Sequence, residues 1–398
     1  MSDSEALPCF PFSHRGDALS PRYRELQRNR PVTRVLTRAG DPAWLITSHE
    51  LAVRALQDDR LSVEPFAAPA DPGRDVPAIP TKVLSALTAI REAGLHKVFM
   101  KAIAPPKARK LQPWVRATAR ARLDAIAAGP QPADLFSSYA RALPVALTGH
   151  VMGIPGDDAA ALSESSLAGL IRLNAIGADD TVDAAQAHDY FRAVLARPGL
   201  PDGIVRRFRE HNAARPPAER VDDDRLADAC VNVLGAGHFG AVAVLANTFV
   251  DILGDRPTWD RLCAAQHVTS AALEELLRYA LVQHGGMPRV ATEDVEIGGA
   301  TIRAGELVLI SADTADRDPA AFPGPDRVDL DRDGQGRLAS GRGTHDFPGS
   351  ALSRMAVRVA VEELTRRFPT MRLAVPVGEL EWRADLLSRL PAAIPVTW

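Results

Sequence analysis

Apolar residues recur at helical spacing along most of this chain. The longest such segment runs from Arg225 to Leu253, and its apolar side chains are interrupted mainly by small residues. Pro, Gly or polar residues separate it from the other segments, as expected at helix ends. Further helices are predicted over residues 21–30, 49–58, 81–103, 111–128, 133–152, 157–176, 182–196 and 271–280.

Short β-rich runs interrupt the helices at two places. The runs P-V-T-R-V-L-T and A-W-L-I-T-S flank the turn A-G-D-P, and E-D-V-E-I-G-G-A-T-I-R-A-G-E-L-V-L-I contains a second hairpin pattern. The predicted fold class is therefore mainly α with small β-sheets (α+β). No linker, repeat or low-complexity tract divides the chain, so we expect one domain over residues 1–398.

Composition narrows the class of protein. The chain has 398 residues, 46% of them hydrophobic, and 47 basic side chains balance 50 acidic ones. This near-neutral balance argues against nucleic acid as a partner. No signal sequence is evident, no apolar run is expected to span a membrane, and the three cysteines form no disulfide framework. We expect a cytoplasmic protein, and its Ala, Arg and Pro usage suggests a bacterial source.

Candidate chemistry concentrates in the Gly-rich loop between Leu338 and Arg354, which reads L-A-S-G-R-G-T-H-D-F-P-G-S-A-L-S-R. An amphipathic helix with Leu352, Met355 and Val359 on one face follows it. The loop resembles the haem-binding signature F-G-x-G-x-H-x-C-x-G of the cytochrome P450 family. The matching positions are Gly341, Gly343, His345 and Gly349.

Other motifs of the cytochrome P450 family extend the resemblance over nearly the whole chain. Glu275-Leu276-Leu277-Arg278 matches E-x-x-R, which implies a buried carboxylate–guanidinium pair. Arg289 matches a propionate-binding arginine. Asp316-Arg317-Asp318-Pro319 and Phe322-Pro323 match N-R-D-P and F-P-x-P, with Asp in place of the first Asn. The resemblance implies the cytochrome P450 fold.

Three departures from the family pattern point away from its usual activity. Phe347 stands where the iron-ligating cysteine is expected, and a phenyl ring offers iron no lone pair. Phe239 and Gly240 stand where the central helix should carry an acid and a threonine. Glu92 stands where a histidine should grip a haem propionate. We therefore expect haem to be absent, with His345, Arg289 and Arg342 as vestigial haem-site residues.

Several titratable side chains are expected around the former haem pocket, which Phe239, Gly240 and Phe347 would line. Glu92 and His96 lie four residues apart on one predicted helix and form a candidate acid–base pair. The remaining catalytic candidates are His238, His284 and Asp346. No zinc-type or P-loop spacing occurs, so no metal ligand is assigned.

The predicted function is a haem-free, redox-neutral catalyst of bacterial specialised metabolism. It would cyclise, isomerise or dehydrate a small apolar biosynthetic intermediate in the old pocket. One alternative is a non-catalytic auxiliary that activates a partner enzyme such as a glycosyltransferase. Another is a haem protein of the same fold with non-thiolate ligation, since Arg289 and His345 are present.

Overall fold

The computed structural model describes residues 7–12, 18–37, 40–63, 90–91, 93–162, 184–282, 286–332, 336–338, 349–383 and 389–398. Within these ranges, the side chains of Ala184, Ala236, His238 and Phe239 are not described. The statements below concern these residues.

Twelve labelled helices follow one another along the described chain. Their bounds are α1 Pro21–Asn29, α2 His49–Gln57, α3 His96–Ile103, α4 Pro105–Ala127, α5 Ala142–Met152, α6 Ala184–Leu195, α7 Ile204–Ala214, α8 Asp223–Gly254, α9 Arg256–Ala265, α10 Ser270–Tyr279, α11 Ala312–Ala315 and α12 Ser350–Arg367. A π-helix covers Phe136–Arg141, and short 3₁₀ helices cover Pro217–Glu219 and Val377–Glu379.

Ten short strands in the described part of the chain form three small sheets. The strands are β1 Val32–Leu36, β2 Pro42–Ile46, β3 Leu61–Ser62, β4 Ala133–Asp134, β5 Met287–Ala291, β6 Val295–Ile297, β7 Ala300–Ile302, β8 Leu307–Ile310, β9 Arg372–Leu373 and β10 Pro395–Thr397. The largest sheet has the order β1-β2-β8-β5-β3, the second β4-β10-β9, and the third is the β6-β7 hairpin. The predicted fold class, mainly α with small sheets, is confirmed.

The central helix α8 is 32 residues long and organises the helical part of the fold. The Asp222 side chain caps it by accepting a hydrogen bond from the backbone N–H of Arg225 at 2.8 Å. Asp223 and Asp224 in the first turn add negative charge at the positive end of the helix dipole. α8 packs against α5, α6, the π-helix and α12, so most of its apolar residues face the protein core.

The expectation that no apolar run could span a membrane needs correction at α8. Among the described helices, Asp223–Gly254 alone is long and apolar enough to do so, with a hydropathy of 1.7. Buried helices of globular cores meet the same criterion, because they are surrounded by other apolar elements. The packing of α8 against four neighbouring elements identifies it as such a core helix.

Sequence periodicity located most of the elements but not all of their ends. The first hairpin is present, with Val32 opposite Ile46 and Leu36 opposite Pro42. The helix expected over 81–103 is present as α3 at its C-terminal end, and residues 81–89 lie outside the described part. The segment expected as one helix over 133–152 is instead β4, the π-helix and α5. Proline at the first helical positions moves the start of α4 forward to Pro105.

A fully buried ion pair connects α10 to the irregular segment after α11. Arg278 donates from Nε to Glu275 Oε2 at 2.7 Å and from Nη2 to Oε1 at 2.8 Å. Its Nη1 donates to the backbone carbonyls of Asp316 and Pro325 at 2.7 and 3.1 Å. Arg332 contributes a second cation 3.1 Å from Glu275. The predicted E-x-x-R pair is therefore present and holds residues 316–332 against α10.

Removing one partner of this pair should be strongly destabilising. Arg278→Met leaves carbonyls without their donor and Glu275 without its bidentate partner, so we expect a loss of about 3 to 5 kcal/mol in unfolding free energy. Arg206→Met is the matched control, because Arg206 pairs with Glu210 on the surface of α7, and exposed pairs contribute about 0 to 1 kcal/mol. Chemical denaturation measures both. Equal losses in the two variants would contradict this assignment.

Candidate functional site

Two glycines in the middle of α8 have no described atom close to them. A Cβ atom built on Gly235 or on Gly240 meets no described atom within 4 Å. By contrast, a Cβ on Gly237 would lie 3.1 Å from Cγ2 of Thr148 on α5. Gly237 therefore packs on α5, whereas the described residues leave Gly235 and Gly240 uncovered, at positions about 140° apart around the helix axis. Gly240 is a predicted pocket residue, whereas the side chains of Phe239 and His238 lie outside the described residues.

Arg289 on β5 is a buried cation with no carboxylate partner among the described residues. Its residue exposure is 5%, and its Nη1 donates to the carbonyl of the adjacent Pro288 at 2.7 Å. The buried Nε has no hydrogen-bond partner among the described residues. Burial lowers the pKa of Arg289 to about 10. A guanidinium removed from water in this way is stabilised when an anionic group comes into contact with it.

The sheet places Arg289 on the side from which the Gly-rich loop departs. Alternate residues of a strand share one face, so Arg289 lies on the same face of β5 as Met287 and Ala291. Those two residues pack in the apolar cluster that contains Leu338, which is fully buried. Leu338 immediately precedes the loop segment 339–348. The buried cation and the start of this loop are therefore on the same side of the largest sheet.

The loop's own candidate residues cannot be placed. Asp346, Phe347, His345 and Arg342 all fall in 339–348, outside the described residues. His284 falls in 283–285, also outside them. Their proposed roles therefore rest on the sequence motif.

The predicted acid–base pair on the helix before α4 is only half described. Glu92 lies outside the described residues, and His96 begins α3 with its side chain partly exposed. Gly94 adopts a left-handed conformation, with φ of +68°, and separates the turn at 93–95 from α3. The continuous helix assumed for the four-residue spacing is thus interrupted between the two positions, and their pairing is a proposal.

One carboxylate that the sequence reasoning missed connects the two ends of the loop. Glu274 on α10 accepts a hydrogen bond from Nε of Arg337 at 2.9 Å. Its other oxygen makes an ion pair with Nη2 of Arg354 on α12. No sequence motif indicates this contact, because only the tertiary fold brings Glu274, Arg337 and Arg354 together.

None of the three cysteines lies near the loop in sequence, and the described structure gives each a different setting. Cys9 is exposed beside Leu36. Cys230 is completely buried in α8, and this burial raises the pKa of its thiol. Cys263 on α9 is partly buried with its Sγ 3.9 Å from the Pro369 carbonyl oxygen. None of these described contacts involves Arg289.

Comparisons with known proteins agree with this architecture. The family model described as Cytochrome P450 matches residues 243–369. The chain is 34% identical to mycocyclosin synthase of Mycobacterium tuberculosis over 397 residues, covering 98% of each chain. It is also 34% identical to mycinamicin IV hydroxylase/epoxidase of Micromonospora griseorubida over 394 residues, again 98% of each. The solved structure of the mixed-function P450 MycG superposes with a TM-score of 0.81 at 32% identity, covering 98% of this chain and 100% of that one.

These relatives overturn the prediction of a haem-free protein. The compared proteins are haem-dependent enzymes, so haem is the expected cofactor here, and the predicted absence of haem is wrong. The predicted haem-free, redox-neutral catalyst and the auxiliary alternative are wrong for the same reason, because the relatives are named as enzymes and one as a hydroxylase/epoxidase. The error came from giving one ligand position more weight than the many positions that build the rest of the site.

The described residues fit the edge of a haem but not thiolate ligation of its iron. The buried Arg289 offers an unpaired cation to a propionate. The open backbone at Gly235 and Gly240 leaves room for a flat group beside α8. The chain's cysteines, however, stand elsewhere, and Phe347 has no donor atom. The described residues therefore match the carboxylate groups and the flat faces of haem.

Two glycine substitutions test the open side of α8. Gly240→Ala places a methyl group where no described atom lies within 4 Å, so the haem-free protein should gain about 0.5 to 1 kcal/mol from improved helix propensity. Gly149→Ala on α5 is the matched control, because its Cβ would lie 2.6 Å from Cβ of Ala159 and should cost about 1 to 3 kcal/mol. Thermal unfolding compares the two. Destabilisation by Gly240→Ala would show that the space is filled.

Replacing the buried cation should separate stability from haem binding. Arg289→Met removes a desolvated charge, so the haem-free protein should gain on the order of 2 kcal/mol at pH 7. The folded-state pKa of about 10 lies below the ordinary pKa of an arginine side chain in the unfolded chain. Below pH 10, the buried charge therefore lowers the unfolding free energy of the parent by its full amount. The stability advantage of the variant should shrink as the pH rises above that value.

The same variant should bind haem about 10- to 100-fold more weakly, because a charge-assisted contact is lost. Denaturation at several pH values and haem titration of the same preparations provide both readouts. Arg303→Met, at an exposed arginine that pairs with Asp294, is the control and should change neither quantity. A lower unfolding free energy together with an unchanged haem affinity in Arg289→Met would refute the anion-binding role.

Proposed function

Because the chain belongs to the cytochrome P450 family, we propose that it is a haem-dependent enzyme that oxidises a small, mostly apolar intermediate of bacterial specialised metabolism. The observation that carries this proposal is Arg289, a buried guanidinium with no carboxylate partner among the described residues. The named hydroxylase/epoxidase relative supports oxidation as the reaction class. The cytoplasm is the proposed location.

Arg289 is the residue proposed to hold haem through a propionate, with His345 as the sequence-based partner at the same edge. When bound, haem would supply the one-electron and oxygen chemistry that protein side chains lack. The protein's own part is to hold the carboxylate edge and to leave space beside Gly235 and Gly240 for the macrocycle and substrate. These small residues favour an apolar substrate with few polar groups facing α8.

Proton handling is proposed to differ from the family pattern. Gly240 has no hydroxyl group and Phe239 has no acid, so neither can deliver a proton at the central helix. The titratable candidates are His96, His238 and His284, together with Glu92 and Asp346. A histidine is suited to this role because its ordinary pKa lies near neutrality.

The iron is proposed to lack a cysteine ligand. Phe347 occupies the motif position, and the thiols of Cys230 and Cys263 are held in other parts of the fold. Thiolate ligation donates electron density that favours cleavage of the oxygen–oxygen bond. Without it, the haem should have the spectrum of a protein with a nitrogen or oxygen ligand.

Haem content is the direct test of the proposed function. The protein should be purified from haem-supplemented cells and assayed for iron and for a Soret absorption band. A Soret band and one iron per chain are expected, together with a shift of the band on addition of apolar substrate candidates. Protein that carries neither iron nor a Soret band, and that takes up no added haem, would rule out the proposal.

Phe347→Cys should restore the ligand that the motif position normally provides. The carbon monoxide difference band of the reduced parent should lie where histidine- or water-ligated haem proteins absorb, and that of the variant should move to the position of thiolate-ligated proteins. Phe347→Ala is the matched control, since it removes the ring without adding a donor. A thiolate-type band in the parent itself would show that another cysteine reaches the iron.

A further inference from the structure

Arg337 and Arg354 bound the chain segment that contains the haem-motif positions. Arg337 precedes the segment 339–348, and Arg354 lies in the second turn of α12 after it. The described chain immediately before the segment is well anchored. His49 Nε2 contacts the Gly336 carbonyl at 2.7 Å, and Leu338 N donates to Oδ1 of Asp316 at 2.6 Å. The N-terminal end of the segment is thus held beside His49 and Asp316, and its C-terminal end leads into α12.

Glu274 joins these two ends through one carboxylate. Oε2 accepts a hydrogen bond from Arg337 Nε at 2.9 Å, and Oε1 makes an ion pair with Arg354 Nη2. The Arg337 side chain is only 6% exposed and that of Glu274 19% exposed, so both charges are largely removed from water. Charge-assisted hydrogen bonds in such a setting are stronger than exposed ion pairs.

The segment between the two arginines has a composition that makes such a connection useful. It contains Gly341 and Gly343, and glycine loses more conformational freedom on ordering than other residues. Holding the two ends of a glycine-containing segment at a fixed separation lowers the conformational entropy that remains to be lost when the segment binds a ligand. A carboxylate shared by both ends therefore favours the ligand-competent arrangement.

Glu275, the next residue along α10, has a separate role. It pairs with Arg278 and Arg332 and accepts a hydrogen bond from the backbone N–H of Asp329. Its partners hold the irregular segment before the loop, whereas the partners of Glu274 lie at the ends of the loop. Two adjacent glutamates of one helix thus serve two different segments.

We propose that Glu274 is a positioning residue for haem binding, which fixes the separation between the two ends of the 339–348 segment by pairing with Arg337 and Arg354. The proposal rests on the proposed function, because it assigns this segment to the haem site. Glu274 does not contact the cofactor in this account. It acts through the two arginines.

Amide hydrogen exchange of the haem-free protein tests the connection without any cofactor. In Glu274→Gln and in Arg354→Gln, peptides that cover 339–348 should exchange about tenfold faster than in the parent, because a charge-assisted contact is lost. Arg358→Gln is the matched control. Arg358 lies one turn further along α12 and donates to Ser270 Oγ at 3.3 Å instead, so its substitution should leave exchange in this segment unchanged.

Haem loss from the loaded protein supplies the second readout. Transfer of haem to an excess of an acceptor globin should be about tenfold faster for Glu274→Gln and Arg354→Gln than for the parent and Arg358→Gln. Each single variant raises the rate of haem loss by some factor. In the double variant, Glu274→Gln with Arg354→Gln, the rate should rise by less than the product of these two factors, because both substitutions break the same connection.

The two readouts distinguish the proposals from each other. An unchanged rate of amide exchange over 339–348 in Glu274→Gln would overturn the positioning role, regardless of the rate of haem transfer. A parent protein that binds no haem would overturn the proposed function, and the exchange experiment would then decide the connection by itself. Faster exchange combined with unaltered haem transfer would also overturn the positioning role, because the connection would then have no effect on the cofactor.

Discussion

The central constraint on this protein is a buried guanidinium group that has no counter-charge among the residues the structure describes. Moving such a cation out of water costs several kcal/mol even after relaxation of the surroundings. Arg289 is nevertheless held on β5, between β8 and β3, with one backbone carbonyl as its acceptor. The five-stranded sheet fixes the cation in place, and its burial keeps water from solvating it. A site of this kind gains most when a carboxylate group binds.

The rest of the fold supports that site. The buried Glu275–Arg278 pair holds residues 316–332 against α10. Glu274, the preceding residue, contacts both ends of the loop that carries the haem motif. The central helix α8 contributes Gly235 and Gly240, whose missing side chains leave open space. Polar contacts thus fix the segments on either side of the loop, and the described residues place no atom close to these two glycines.

Much of this fold could be predicted from the sequence, because its signals are local. Apolar spacing revealed α8 within two residues of its ends, and the alternating runs around A-G-D-P gave the β1–β2 hairpin. The E-x-x-R motif predicted the buried pair of Glu275 and Arg278. The π-helix at Phe136–Arg141 was not predicted, because the sequence reading assumed regular α-helical spacing throughout this segment. The connection through Glu274 was also inaccessible, because it joins residues more than sixty positions apart.

Haem binding is the property that reasoning from a short sequence motif predicted wrongly. Phe347 removes a single donor atom, and the sequence alone led from that loss to a protein without haem. Binding of a large cofactor is distributed over many contacts, and a buried cation such as Arg289 retains its preference for a propionate whatever residue faces the iron. Likeness to haem-dependent enzymes over 98% of the chain supports that distributed view.

The most direct measurement compares the affinity of the purified haem-free protein for haem with its affinity for haem dimethyl ester, in which both propionates are neutral. If the charge of Arg289 is held for a propionate, the ester should bind about tenfold or more weakly, as expected for the loss of a charge-assisted contact. Equal affinity for the two forms would contradict the account, because the buried cation would then have no part in binding the cofactor.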